Sequence, residues 1–312
     1  MSDIKHFTEL LGGNIEPCQQ ILRLQIGGYR LQLRSNSEQL VTQLKTYFRH
    51  VIDHADQPAD DEVMAVECDP PELPVTFIDW KREPGKSGRK DSYFDFEGGR
   101  MVRKVRTGMV FLQSKEILFA AGPCLQYNNQ LINFINSQYM NWLQNQDWLI
   151  CHAAGITYNE HCLAMAGMSG GGKSTLMLNL LELSNTQFLT NDRLFIRQAD
   201  GEVAAAGIPK LPRINPGTIV HNQRLHALIA PEERARLLAL SRDELWHLEE
   251  KYDVDIEQLY GNKHIRHNAM LSAFLIINWQ HDAAVDTAIN AVQLTQRLEL
   301  LQAIMKSPGP FY

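Results

Sequence analysis

The sequence predicts an α+β protein, and three observations lead to that expectation. The chain has 312 residues, 44% of them hydrophobic, which is enough to bury a sizeable core. This length favours two domains, or one large domain with an accessory part. The first third consists mainly of short apolar strands, and the second half carries a glycine-rich loop between an apolar strand and a helix. We therefore expect an accessory domain over 1–125 and a second domain over 126–312.

The first domain shows the patterns of a mostly antiparallel α+β domain. Apolar residues alternate over 21–33 around Gly27-Gly28, which indicates a hairpin, and Ser37 can cap a helix that runs to about Ile52. Further short strands are predicted at 63–66, 75–80, 93–96, 100–106, 108–112 and 117–120, with a polar turn over 84–90. No catalytic motif is recognisable in this part of the chain.

The second domain alternates helical and strand periods. Strands are predicted at 148–154, 156–158, 162–166, 187–190 and 270–279, and a hairpin at 194–196 and 203–205. Helices are predicted at 127–147, 174–183, 219–228, 241–251 and 284–305, with a Pro-rich irregular loop over 207–217 and an unstructured tail over 307–312.

One segment carries recognisable chemistry and fits the pattern G-x-x-x-x-G-K-[ST]. It reads Gly167-Met168-Ser169-Gly170-Gly171-Gly172-Lys173-Ser174, followed by Thr175. Such a loop wraps a phosphate with backbone N–H groups at a helix N-terminus, where the dipole also favours an anion. Lys173 is expected to reach the β- and γ-phosphates, and the Ser174 hydroxyl to bind Mg²⁺. The motif predicts nucleotide binding by residues 167–175.

Other residues are candidates for the reaction. Asp192 follows a predicted strand one helix-plus-strand unit after Lys173, and we expect that strand to neighbour the loop strand. His152 ends an earlier strand and could face the γ-phosphate or be a core histidine. Lys210 and Arg213 lie in the Pro-rich loop and could clamp a phosphate or be solvated charges.

Composition narrows the class of protein. A net charge of −6 gives no hint of a nucleic-acid surface, and no apolar run approaches a membrane span. The five cysteines form no C-x-x-C pair, which favours reduced thiols. We expect a soluble cytoplasmic protein that binds neither nucleic acid nor membrane.

The segment Cys151-His152-Ala153-Ala154, the loop and Asn191-Asp192 together resemble the HPr kinase/phosphorylase family over about 149–279. The string at 207–217 looks most like the HprK-related kinase B group. The resemblance implies a fold related to phosphoenolpyruvate carboxykinase, with a mixed, largely antiparallel sheet. It also implies an active-site role for His152, with Ala153 replacing the family's glycine.

The departures from the family pattern matter for the site. The family has an Asp-Asp pair where this chain has Asn191-Asp192, so the resemblance implies that Asp192 is the base. The family's metal-binding Glu has no counterpart in 207–217, where Lys210 and Arg213 stand, so Ser174 and Asp192 are the expected metal ligands.

Three functions remain open from the sequence. The first is a kinase that uses ATP and Mg²⁺ to phosphorylate a hydroxyl on a partner protein or a small metabolite. The second is an ATP-binding regulatory or assembly protein without catalysis, which the changes at Asn191 and 207–217 permit. The third, a simple ATPase or GTPase switch, has less support because no Asn-Lys-x-Asp motif is present. Homo-oligomerisation is left open.

Overall fold

A computed structural model describes residues 3–12, 18–55, 57–81, 88–168, 170–248, 250–261, 264–279, 286–307 and 309–311. The chain divides into two compact units, Met1–Trp142 with Pro308–Tyr312, and Leu143–Ser307. The domain boundary at 125/126 stays a prediction, and the units divide near the end of the helix Asn128–Gln144. Within the described ranges, no helix has both the length and the hydropathy that a membrane crossing needs.

The first unit contains a mixed sheet with flanking helices. Its strands are β1 (Gln20–Ile26), β2 (Tyr29–Ser35), β3 (Asp61–Glu67), β4 (Ile78–Asp79), β5 (Asp91–Phe96), β6 (Gly99–Lys104), β7 (Val110–Ser114) and β8 (Leu118–Gly122). Its helices are α1 (Asp3–Gly12) and α2 (Glu38–Tyr47), and α3 (Asn128–Gln144) begins in it. The sheet order is β1-β2-β3-β8-β7-β6-β5-β4, in which only β3 pairs in parallel, with β2 and with β8. The expectation of a mostly antiparallel α+β arrangement is confirmed for these described strands.

The predicted hairpin and the predicted helix cap are both present. Gly27 turns the β1–β2 hairpin with φ of 59°, and the Ser37 hydroxyl accepts a hydrogen bond from the backbone N–H of Leu40 at 3.2 Å. The helix ends at Tyr47, earlier than predicted. Ile52 instead forms a β-bridge with Leu24, so the chain leaves the helix to pair with β1.

Two other predictions in this unit are wrong in part. The strand predicted over 75–80 is only β4, because prolines at 70, 71 and 74 supply no N–H donors and Val75 N–H bonds locally to Leu73. The tail predicted as unstructured places Phe311 in the core, where its ring lies 5.3 Å from that of Phe111. Part of the predicted turn over 84–90 lies outside the described residues.

The second unit contains the candidate loop. Its strands are β9 (Leu149–Cys151), β10 (Ala153–Tyr158), β11 (His161–Gly167), β12 (Thr186–Thr190), β13 (Leu194–Ala199), β14 (Glu202–Gly207), β15 (Arg213–Ile214), β16 (Tyr252–Asp253) and β17 (Asn268–Ile277). Its helices are α4 (Lys173–Leu180), α5 (Pro216–Val220), α6 (Pro231–Leu238), α7 (Arg242–His247), α8 (Ile256–Tyr260) and α9 (Leu301–Ile304), with 3-10 turns at Gln223–Leu228, Leu294–Gln296 and Leu298–Leu300.

The main sheet of this unit has the order β12-β10-β11-β17-β14-β13-β9, and β15 pairs separately with β16. The loop strand β11 pairs in parallel with β17 and antiparallel with β10, so the sheet around the loop is mixed, as expected. The expectation that the strand before Asp192 neighbours the loop strand is wrong. Strand β10 lies between β11 and β12, because the tight turn at Asn159-Glu160 pairs β10 with β11 and leaves its other edge for β12.

The strand predicted over 148–154 is two strands separated at His152. Strand β9 pairs with β13 at one edge of the sheet, whereas β10 pairs with β11 and β12. The chain changes partner strands at His152, and this residue therefore takes part in the pairing of neither β9 nor β10. The predicted hairpin of β13 and β14 and the predicted strand β17 are confirmed.

The helices after the Pro-rich loop are shorter than predicted. The segment 219–228 is divided between α5 and a 3-10 turn, α6 was not predicted, and α7 begins at its Ser241 capping box but ends at His247. The terminal helix predicted over 284–305 is wrong: residues 286–293 are not helical, and only short turns and α9 follow. Ile289 and Leu298 are 84% and 63% exposed, so the apolar positions that suggested a helix lack the packing that would stabilise one.

Gly207, at the end of β14, offers a test of how closely β14 approaches β12. A Cβ at this position would overlap the carbonyl oxygen of Leu189. We expect Gly207→Ala to lower the free energy of unfolding by roughly 2–4 kcal/mol, because backbone must move to admit the methyl group. The control Gly201→Ala meets nothing within 4 Å and adds only the strain of φ +83°, about 1 kcal/mol. Equal shifts of the two variants in urea unfolding would contradict the close approach of β12 and β14.

Candidate functional site

The glycine-rich loop connects the end of β11 to the start of α4. Gly167 must be glycine because a Cβ there would lie 2.9 Å from the carbonyl oxygen of Ile277 on the parallel strand β17. Gly172 is the N-cap residue of α4, with φ of 83° in the left-handed region. Gly170 also has a left-handed φ of 80°, and Gly171 N–H bonds to the Met168 carbonyl at 2.9 Å. The loop therefore has the strand, turn and helix order that a phosphate-binding loop requires.

Lys173 holds the two sides of the loop together. Its Nζ donates hydrogen bonds to the carbonyl oxygens of Gly167 at 2.7 Å and Met168 at 3.1 Å, and the residue is 8% exposed. An ammonium group has three donors, and among the described residues these two bonds leave one for an anion. Burial lowers the pKa of Lys173, the charge of Asp192 acts to raise it, and that of Lys306 acts to lower it, with a net decrease.

The remaining loop residues have different surroundings. Met168 is exposed, and Ser169 lies outside the described residues. Ser174 is half-buried in the first turn of α4. The Thr175 hydroxyl lies 2.8 Å from that of Thr218, so α5 contacts the loop helix at this point.

Asp192 and His152 lie together, although 40 positions separate them in the sequence numbering. His152 Nε2 donates a hydrogen bond to Asp192 Oδ1 at 3.0 Å. The pairing of β10 with β12, which sets Gly155 opposite Thr190, explains the proximity. His152 stands just before β10, and Asp192 follows β12 by two residues. The register between β10 and β12 therefore brings His152 and Asp192 together.

Several cations surround Asp192, whose side chain is 49% exposed. Its Oδ2 lies 3.5 Å from Lys306 Nζ and 3.9 Å from Arg193 Nε. Partial burial acts to raise the pKa of Asp192, but the His152 hydrogen bond and the charges of Lys306 and Arg193 have the opposite effect. The pKa of Asp192 is lowered overall, and the carboxylate is ionised at neutral pH.

The two basic residues of the Pro-rich loop differ. Arg213 pairs with Asp253 across the β15–β16 bridge, with Nε 3.0 Å from Oδ1. Lys210 interacts electrostatically with Asp192 and Arg193, which places it in the same cluster. The pKa of Lys210 is lowered to about 8. Burial is the main cause, and the charges of Arg193 and Arg213 add to it, whereas the charges of Asp192 and Asp253 act to raise the pKa.

The lowered pKa of Lys210 predicts a pH dependence of anion binding. Below pH 8 the ammonium is charged and attracts an anion; as pH rises through 8 it becomes neutral and this attraction is lost. We expect the affinity for inorganic tripolyphosphate to fall by roughly tenfold between about pH 7 and pH 9. Lys210→Arg should flatten this dependence because arginine stays charged.

Calorimetric titrations at several pH values would test this prediction. Lys210→Met should bind weakly throughout, with a flatter profile than the natural protein. Any slope due to Lys173 is common to all three proteins and cancels in the comparison. A slope that is unchanged in Lys210→Arg would show that Lys210 does not contribute.

Three side chains near the site were not predicted from the sequence. Lys306 falls between the predicted terminal helix and the predicted tail, and no motif marks it. Trp246 on α7 and Trp279 after β17 have ring centroids 4.9 Å apart, and Trp246 packs against Gly170 of the loop. Trp246 and Trp279 are far apart in the sequence and belong to no common motif, so only the tertiary structure shows that their rings are neighbours.

The expected metal ligands can be tested by their chemistry. Within the described residues, no group of three or more His, Cys, Asp and Glu side chains could hold a metal ion. Mg²⁺ does not require such a group, because it is commonly held by one or two carboxylates, substrate phosphates and water. The Ser174 hydroxyl and the Asp192 carboxylate are oxygen donors that fit it. Asn191 Oδ1 is buried without a hydrogen-bond partner among the described residues, so the amide beside Asp192 adds an unsatisfied oxygen there.

Comparisons with known proteins leave the family open. No protein-family model matches the chain, and no curated protein sequence matches it. Among solved structures, the chain is similar to the Hpr(Ser) kinase/phosphatase from Coxiella burnetii, with 14% sequence identity and a TM-score of 0.27, over 45% of this chain and 67% of that chain. A likeness of this size leaves the function to be argued from the residues themselves.

Proposed function

We propose that this protein is a kinase that transfers the γ-phosphoryl group of ATP to a hydroxyl group. One observation carries the proposal: Asp192, bonded to His152, lies within electrostatic reach of the loop lysine Lys173. A phosphate loop by itself indicates nucleotide binding. A carboxylate beside it supplies what transfer to a hydroxyl also needs, a group that can accept the hydroxyl proton.

Each residue has a defined part in the proposed reaction. The loop amides and Lys173 bind the β- and γ-phosphates and stabilise the negative charge on the transferring group. Asp192 orients the acceptor hydroxyl and takes its proton, while His152 holds the carboxylate in position. The acceptor oxygen forms the new bond to phosphorus, the bond to the β-phosphate oxygen breaks, and ADP leaves. When bound, Mg²⁺ would neutralise phosphate charge near Ser174 and Asp192.

The sequence resemblance supports the same proposal. It implies a member of the HPr kinase/phosphorylase family, in the HprK-related kinase B group, acting on a serine of a partner protein or on a small metabolite. Lys210 would add a cation for the phosphates. Arg213 has a different role in this proposal, since its ion pair with Asp253 fixes the Pro-rich loop.

Incubation with γ-labelled ATP, Mg²⁺ and a cell extract tests the proposal. We expect label on a protein or metabolite, and no label with Lys173→Ala or with Asp192→Asn. Label that persists in both variants would mean that a contaminating kinase or another site is responsible. If label appears with the natural protein and with neither variant, the labelled species is the acceptor.

A second function is favoured by the state of Asp192 itself. Its oxygens lie beside His152 and Lys306, and its lowered pKa makes it a weak base in the nucleotide-free protein. An ATP-binding regulatory or assembly protein with the same loop would have this property without catalysing transfer. Nucleotide binding with no transfer to any acceptor would select this second function.

A further inference from the structure

The end of α9 and the residue after it are attached to the candidate site by backbone contacts. His152 N–H donates a hydrogen bond to the Ile304 carbonyl at 2.6 Å, and Met305 forms an antiparallel β-bridge with Cys151. Ala303 is buried. These contacts lie immediately before Lys306 and involve main-chain atoms, so a change of the Lys306 side chain leaves them in place.

Lys306 enters a cluster with a surplus of positive charge. Its Nζ lies 3.5 Å from Asp192 Oδ2, and its side chain is 21% exposed. Arg193 also approaches this carboxylate, and Lys173 and Lys210 both interact with it electrostatically. One carboxylate therefore faces four cationic side chains, apart from His152.

Such a cluster has a physical consequence. Cations that share a partly dehydrated site repel one another, and a polyanion relieves that repulsion. Lys306 also acts electrostatically on Lys173, the residue expected to contact the β- and γ-phosphates. Lys306 approaches Asp192 more closely than Arg193 does, through a side chain that no phosphate-loop motif includes.

We propose that Lys306 is a binding residue for the γ-phosphate of a nucleoside triphosphate, and that its ammonium group moves from Asp192 to that phosphate when the triphosphate binds. This inference rests on the proposed nucleotide binding. It adds a consequence for the site: once Lys306 has moved, Asp192 loses one of its cationic partners. A nucleoside diphosphate has no γ-phosphate and leaves Lys306 on Asp192.

The test compares ATP and ADP binding, with Mg²⁺, by calorimetry. We expect Lys306→Met to weaken ATP binding by roughly tenfold or more, as the loss of a charge-assisted contact predicts, and to change ADP binding by less than about twofold. Lys306→Arg should retain most of the preference for ATP because it keeps the charge. Lys251→Met removes the same charge from an exposed position and should change neither affinity.

The outcomes separate the inference from the proposed function. If the natural protein binds ATP and Lys306→Met loses ATP and ADP affinity equally, or loses neither, the γ-phosphate role of Lys306 is wrong while nucleotide binding stands. If the natural protein binds neither nucleotide, both the proposed function and this inference are wrong. Thermal melting of Lys306→Met and Lys306→Arg checks that the fold is kept. Should the methionine variant unfold, Lys306→Gln, which also removes the charge, repeats the comparison of ATP with ADP.

Discussion

Lys173→Ala is expected to weaken ATP binding by at least about a hundredfold, because one change removes a phosphate contact and two hydrogen bonds that shape the loop. The Nζ group, from the helix end of the loop, donates hydrogen bonds to the Gly167 and Met168 carbonyls at the strand end. Without it, the loop amides lose both their arrangement and the nearest cation. Calorimetry with Mg²⁺ and ATP measures the loss directly.

Lys251→Ala is the control for this prediction, since it removes an exposed lysine of the same unit. Lys173→Arg keeps the charge and should retain part of the affinity. A melting temperature close to that of the natural protein would show that the loss is local. Unchanged ATP affinity in Lys173→Ala would reject the assignment of residues 167–175 as a nucleotide site.

Asp192→Asn is expected to reduce phosphoryl transfer by about 10²–10⁴-fold, the usual contribution of a positioned base. The amide has nearly the same shape but cannot accept the hydroxyl proton. Measured without Mg²⁺, ATP binding should be retained or become tighter, because the variant removes a negative charge beside Lys173, Lys210 and Lys306. Opposite effects on transfer and on binding identify a base more clearly than a loss of activity does.

Asp253→Asn provides the matched control. It removes the same charge from a carboxylate that also interacts with Lys210, but Asp253 pairs with Arg213 and not with His152. We expect its rate of transfer to stay close to that of the natural protein. Equal rates for Asp192→Asn and Asp253→Asn would leave Asp192 with an electrostatic role only and would contradict its assignment as the base.

The elements that were predicted well are those whose signals are local. The β1–β2 hairpin depends on alternation around Gly27, and the start of α2 depends on the Ser37 side chain. The β13–β14 hairpin and the apolar strand β17 were likewise found within short windows of sequence. In each case the residues that determine the element are within a few positions of one another.

The elements that were predicted wrongly depend on distant partners. The strand over 148–154 is interrupted at His152 because its halves pair at different places in the sheet. The terminal helix failed because its apolar period has no surface to pack against, as the exposure of Ile289 shows. Periodicity describes what a segment could bury, and only the rest of the chain decides whether a surface is there.

The sequence by itself determined the chemistry of the loop between β11 and α4. Its glycines, Lys173 and Ser174 are contiguous, so the backbone geometry and the donors for a phosphate follow from one short segment. The tertiary structure alone decided what faces that loop. It brings together His152, Asp192, Lys210 and Lys306, which come from separate strands and loops. Their meeting depends on strand order and register, with β10 between β11 and β12, and these are properties of pairing between segments distant in the chain.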